Sequence, residues 1–367
     1  MSVKLSPLVK KIFRDVGIVL LAFVVSWVLV YDVSSLSYFA PIEKASDFSP
    51  TDFYQIVSDN RAVRTLNDDV VIVSVDGLSR EDITDVLEII AECSPAAVGV
   101  DIIFGYPQPD DDRLVGVLSE LPNVVVPDTS AYIYSSCQGL KQGSVYFEAA
   151  SYRSTVRDCR PEGTFAGELA SLYRPGLQMP ETMKIEYAGI EFEVIQAGEL
   201  LSCPEIIEGK IALVGAVNDI SDFHPTPISD SMSGVMIHAA SIATMLSTDR
   251  ISEFPAWADW LLAIILCYIF IATTRWFKKP QWGDCVMRII QFLFLIFIIM
   301  LGSVLYIKYR VNINFTRPLL MVAAGMLAVD LWNGTSGLVL IYMKAKNVFI
   351  KYYRSIRRRF AQETDVV

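Results

Sequence analysis

Both histidines of the 367-residue chain fall within one stretch, "DFHPTPISDSMSGVMIHAASIATML", from Asp222 to Leu246. Imidazole titrates nearest neutral pH and is the commonest metal ligand, so three chemistries come into question: a metal site, a catalytic base, and a buried hydrogen-bonding residue. A structural zinc site needs four ligands, usually Cys or His at tight spacing. His224 and His238 are 14 positions apart with no Cys within a turn of either, so no metal is expected even with Asp222 added. The chain has no G-x-S-x-G, H-x-x-x-H, C-x-x-C, G-x-x-x-x-G-K or G-x-G-x-x-G, so neither an activated serine nor a nucleotide cradle is signalled. No catalytic residue and no cofactor is expected. His238 opens an amphipathic stretch and is expected to be buried against a sheet, donating to a backbone carbonyl and accepting from another group. His224, in a proline-flanked loop, is expected to be more exposed and nearer any ligand.

Carboxylates cluster where a ligand would need them. In a parallel α/β sheet, ligands collect beyond the carboxyl ends of the strands. Asp76 ends the first strand-like run, Asp101 lies within the second, and Asn218, Asp219 and Asp222 follow the last. With His224, Thr226 and His238, these four Asp residues form the candidate ligand-binding set, suited to a cation, an amine or a sugar. The competing reading is that Asp76 and Asp219 only cap the turns or helices after them.

The elements that would hold these groups alternate. Ser49-Pro50 reads as an N-cap and first helical position, with a helix to about Asp59. Val70 to Val75 is β-branched except at Ser74, as in a strand buried on both faces. Ser79 caps a helix with Ile83, Val86, Leu87 and Ile90 on one face. Strands follow at 97–104 and 123–127, with a helix from Asp110–Asp112 between them. Ile185 to Tyr187 and Glu191 to Ile195 read as a hairpin. Lys210 to Gly215 is a strand and Val235 to Leu246 its partner helix. The fold class expected is α/β, a parallel-rich sheet covered by helices.

The composition is 53% hydrophobic, with a mean hydropathy of +0.41. Four apolar runs account for it: 16–31, 260–274, 289–307 and 319–343. A bilayer core of ~30 Å takes about 20 apolar residues, so four transmembrane helices are expected, one before and three after the α/β region. Lys and Arg cluster before the first run, between the second and third, and after the fourth, which orients both termini to the cytoplasm. Segment 32–255 carries 13 basic against 35 acidic residues, and the remainder 18 against 6. This asymmetry marks two environments, and an acidic exterior excludes a nucleic-acid partner. The expected division is 1–31 cytoplasmic start and uncleaved signal anchor, 32–255 extracytoplasmic domain, 256–343 three-helix module, and 344–367 basic cytoplasmic tail against the lipid bilayer.

Asp330 lies near the middle of the fourth run, with Asn333 close by. A carboxyl group at that depth is costly unless it faces protein or a cavity. A packing hydrogen bond to Asn333 or Trp332, or docking of a partner, would explain it. Four of the six cysteines, Cys93, Cys137, Cys159 and Cys203, fall in the extracytoplasmic segment. Cys137 and Cys159, in polar loop-like surroundings, are the candidate disulfide, and Cys93 reads as a buried free thiol.

"VVIVSVD", "AAVGVDIIF", "NVVVP", "IEYAG", "GKIALVGAV", "DFHPTP" and "SGVMIHA" occur in that order. The series, together with the one-plus-three helix layout, resembles the CHASE domain of the second type, a bacterial extracytoplasmic sensory domain. The resemblance covers about residues 10–345. It implies sensing of a ligand or stress at the bacterial inner membrane, relayed to a cytoplasmic output. Two places depart from the pattern: Ser79-Arg80-Glu81 stands where a Trp-Pro-rich segment is common, and Ala240 where an Asn often follows His-Ala. Only 24 residues follow Met343, so an output would have to be a separate membrane or cytoplasmic protein.

Two functions are therefore expected to compete. One is a sensor with an unidentified ectodomain ligand and a separate partner. The other is a structural or assembly protein of the cell envelope that binds another protein through its ectodomain. A homo-oligomer is compatible with either.

Overall fold

The computed structural model describes residues 6–31, 47, 49–109, 111–129, 132–137, 139–148, 154–200, 202–274, 283–335, 342 and 346. Asp110 and nearly all of the basic tail lie outside the described residues. The chain divides into two compact units, one of Lys44–Phe254 with Gly302–Ile313, the other of the remaining helices.

The first unit is a six-stranded, wholly parallel sheet. Its strands are β1 (Thr65–Ser74), β2 (Ala97–Asp101), β3 (Val124–Pro127), β4 (Lys141–Gly143), β7 (Ile190–Gln196) and β8 (Ile211–Gly215), in the order β4-β3-β2-β8-β1-β7. Short two-stranded pairs, β5 (Asp158–Cys159) with β6 (Met183–Lys184) and β9 (Phe223–Thr226) with β10 (Ser229–Ser233), accompany it. The β-branched runs sit centrally, because only residues apolar on both faces tolerate a strand covered above and below. Along β1 the burial alternates between two cores. Val71 and Val73 pack with the helices Arg80–Glu92 and Asp111–Glu120, while Val70 and Ile72 pack with the helices Phe165–Tyr173 and Gly234–Leu246. Gly99 on β2 is what lets the latter layer close. A Cβ there would come within 2.6 Å of Leu169 and 2.9 Å of Phe165.

Local signals hold at the helix starts. Ser49 and Ser79 both form capping boxes, with Asp52 and Asp82 returning bonds to the cap backbone, so two orphan donors are satisfied at each end. The expected hairpin at 185–195 is not formed. Residues 190–196 instead become β7, which lies parallel to β1 at the sheet edge, and the Ile185 amide bonds Arg157 in a separate segment. An apolar-polar alternation marks a half-buried strand but not its partner. A short parallel pairing, Ser252–Glu253 with Val311–Asn312, belongs to the same unit. Arg310 forks onto the Glu186 carboxylate, and Asn312, 1% exposed, bonds Thr51 and Glu253.

The cysteine pairing is not made. Cys137 packs in the layer with Val117 and Leu118, Cys159 in the opposite layer with Phe165, and both are free thiols. The sheet stands between them, which sequence surroundings could not reveal. Cys93 is buried and free, as expected.

Among the described residues two helices, Val286–Tyr309 and Thr316–Thr335, are long and apolar enough to cross a membrane, not the four expected. The helix Pro7–Tyr31 carries Lys10, Lys11, Arg14 and Asp15, and the apolar stretch Trp257–Thr273 rises only about 26 Å at 1.5 Å per residue. Asp330 also differs from expectation. It pairs with Arg288 at 2.9 Å, both side chains more than half exposed. Its partner is a guanidinium on the neighbouring helix, not Asn333 or Trp332.

Candidate functional site

A cavity of about 750 Å³ opens beyond the carboxyl ends of β1, β8 and β2. Each strand delivers side chains to it as it ends: Val75 after β1, Asp101 and Ile102 at β2, Ala216 after β8. The segment 219–224 and the start of the helix Gly234–Leu246 form one wall. The loop Val145–Phe147 forms another.

Five of the seven sequence candidates come together here: Asp101, Asp219, Asp222, His224 and His238. The Asp222 carboxylate is the pivot. Its Oδ2 accepts the Gly234 amide at 3.1 Å, and its Oδ1 lies 3.4 Å from His224 Nε2. The helix cap Ser233 makes no side-chain capping bond, so Asp222 supplies the anion that a helix N-terminus favours. Only glycine permits this approach, since a Cβ on residue 234 would stand 2.4 Å from Asp222 Oδ2.

His238 is 4% exposed, packed between Phe147 and Phe165 at ring-centroid distances of 4.7 and 5.1 Å. Its burial was expected. The backbone hydrogen bond was not found among the described residues, and the His238 Nε2 lies 3.9 Å from Asp101 Oδ2. That separation is too long for a hydrogen bond. Burial holds the imidazole down at about 4, against an upward pull from Asp222. Burial pushes the Asp101 carboxyl up to about 7, and the Asp222 charge adds to it. Removing a charge's hydration disfavours the charged form of either group.

His224 is on β9, not in an exposed loop. Its side chain is only 12% exposed, and it stands edge-on to Phe147 at 5.0 Å. Asp219 reaches the cavity but is committed to Ser221, whose hydroxyl and amide bond its Oδ1 at 2.6 and 2.9 Å. Those bonds hold its carboxyl below the ordinary value.

The remaining two candidates do not line the cavity. Asp76 clamps the turn after β8, accepting from the amides of Val217 and Asn218, the Asn218 side chain and the Ser74 hydroxyl. Burial raises its carboxyl, and these bonds outweigh that and hold it below the usual range. Thr226 closes the β9–β10 turn through Ser229. Asp76 therefore holds the turn after β8 across the sheet, and not the turn that follows it in the chain.

The apolar wall of Ile102, Ile103, Val145, Tyr146 and Phe147 was missed in the sequence. The adjacent aromatics Tyr146-Phe147, in an irregular polar segment, were the available signal. Among the described residues, no three His, Cys, Asp or Glu side chains are grouped to hold a metal ion.

A profile of the CHASE2 domain family matches residues 43–274, a span that contains every residue of the cavity. No curated protein and no solved structure matches the chain.

Proposed function

The chain belongs to the CHASE2 domain family, a family of extracytoplasmic sensory domains, and from that premise we propose that it is a membrane-anchored sensor that reads a small molecule in the crevice above β1, β8 and β2 and passes the state to a separate membrane or cytoplasmic partner. The observation that carries the reading is the crevice itself. Its size falls in the range of small-molecule sites, about 300–1,000 Å³, mostly apolar with a few convergent polar groups. Two of those groups, Asp101 and His238, are left without a hydrogen bond among the described residues, whereas buried polar groups ordinarily find partners.

The domain lies outside the cytoplasm in this reading, with both chain ends inside. The basic clusters at Lys10, Lys11 and Arg14 and in the tail support that orientation. So does the 310–312 segment, which is bonded to Glu186, Ser252 and Glu253 within the α/β unit. The helix Pro7–Tyr31 would then serve as the anchor before the domain.

The test is chemical. Full-length protein is purified from native membranes, and the small molecules it retains are compared with those retained by a His238→Gln, Asp222→Asn variant. A compound held by the first and lost from the second supports the sensor. Retention of none, together with a stoichiometric envelope protein on both, favours the assembly role instead.

A further inference from the structure

The crevice walls carry a specific chemical bias. Among the fifteen residues lining it are three aspartates and two histidines, with no lysine or arginine. Asp219 is occupied by Ser221 and one oxygen of Asp222 by Gly234. The open hydrogen-bonding capacity is therefore Asp101 and His238, beside Asp222 Oδ1, which lies 3.4 Å from His224 Nε2. The nearby cation Arg80 is not among the lining residues. Its guanidinium is spent on Asp111 at 2.6 Å and on the Tyr106 carbonyl at 2.7 Å.

We propose that the crevice binds an organic ammonium ion, its charge held by Asp101 and Asp222 and its carbon skeleton laid against Phe147, Ile102 and Ile103. The proposal rests on the sensory reading and names the ligand class it would take. An ammonium has three donors and no acceptor, and it meets a site rich in acceptors and poor in donors. The neutral imidazole of His238, dry between two aromatic rings, can accept the remaining proton. An anion would face uncompensated carboxylates, and a sugar would leave its own acceptors without donors. A bare divalent cation would need a closed set of oxygen ligands, and no such group is assembled among the described residues.

The experiment uses full-length protein in detergent and three isosteric probes: 2-phenylethylammonium, 2-phenylethanol and phenylacetate, with calcium chloride as a fourth arm. Binding is read by calorimetry and by the melting temperature. The ammonium is expected to bind on the order of tenfold or more tightly than the alcohol, the preference coming from the buried carboxylates, and phenylacetate not at all. Asp101→Asn, close to the same shape, should bring ammonium and alcohol to similar affinity, while Phe147→Leu should weaken both together. Equal binding of the alcohol, preference for phenylacetate, stabilisation by calcium alone, or no binding of any probe to the folded protein would each overturn the ammonium assignment. The sensory reading itself is decided separately, by whether the native protein retains any compound through this crevice.

Discussion

His238 Nε2 and Asp101 Oδ2 face each other across 3.9 Å at the floor of the crevice, and their proton affinities are the reverse of the usual order. Burial takes the acid up to about 7 and the base down to about 4. Between those values the proton sits on the carboxyl and the imidazole is neutral. The pair is an uncharged acid beside an uncharged base, not an ion pair.

The first prediction follows from linkage. Asp101 binds more protons folded than unfolded between pH ~4 and about 7, so its contribution to stability falls as pH rises through that window. His238 binds fewer protons folded between about 4 and 6.5, so its contribution rises with pH. Each slope is about 1.4 kcal/mol per pH unit, and the two nearly cancel. Wild-type melting temperature should be almost flat from pH 4.5 to 6.5. Asp101→Asn should unmask a rise with pH, and His238→Gln a fall. Identical profiles for all three would show that this pair does not titrate as described.

Gly234→Ala should disrupt the crevice from a position that carries no functional group. The new Cβ would lie 2.4 Å from Asp222 Oδ2, forcing the carboxylate off the helix start. Loss of the cap costs about 1 kcal/mol. Ligand retention should fall with it. A variant that melts and binds like wild type would remove Asp222 from its pivotal place.

Gly99→Ala tests the packing that backs the site. Leu169, Leu213 and Phe165 all stand within 2.9 Å of the added Cβ, and Phe165 is the ring behind His238. Overpacking of this kind costs about 1–3 kcal/mol, which chemical or thermal denaturation of the full chain would register.

The cysteines give a prediction independent of any ligand. Burial raises the Cys159 thiol to about 12 and the Cys93 and Cys137 thiols by less, and the thiolate is the reactive species. Cys203 is exposed. Brief maleimide treatment of the native protein followed by peptide mass spectrometry should label Cys203 and spare the other three. A Cys137–Cys159 peptide under non-reducing conditions would contradict the two-sided core.

The sequence revealed most where chemistry and burial coincide over a few residues. Val70–Val75 read as a central strand because only Ser74 interrupts its β-branched residues, and Ser49 and Ser79 read as caps because Pro50 follows the first and an amphipathic pattern the second. Asp101, Asp222 and His238 read as a site because strand ends gather in a parallel sheet. Long-range pairing was not legible. The segment 190–196 shows the same alternation whether it folds back on 185–187 or joins β1, and only the packed sheet selects the second. Asp76 and Asp101 look alike as strand-end acids. Their difference lies in the Val217 and Asn218 amides, 141 and 142 residues away, which claim the former and leave the latter open.

The most direct test of the account is proton-linked calorimetry of 2-phenylethylammonium binding to the full-length protein at pH 7, in two buffers of different ionisation enthalpy. Asp222, His224 and His238 surround the Asp101 carboxyl in the crevice, and Tyr134 lies close behind it. Burial puts the Asp101 carboxyl near 7, where the arrival of a cation displaces its proton. The account predicts release of about half a proton per ligand, since a carboxyl titrating near 7 is then about half protonated, and loss of that release in Asp101→Asn. A binding heat that is the same in both buffers for the wild-type protein would contradict it.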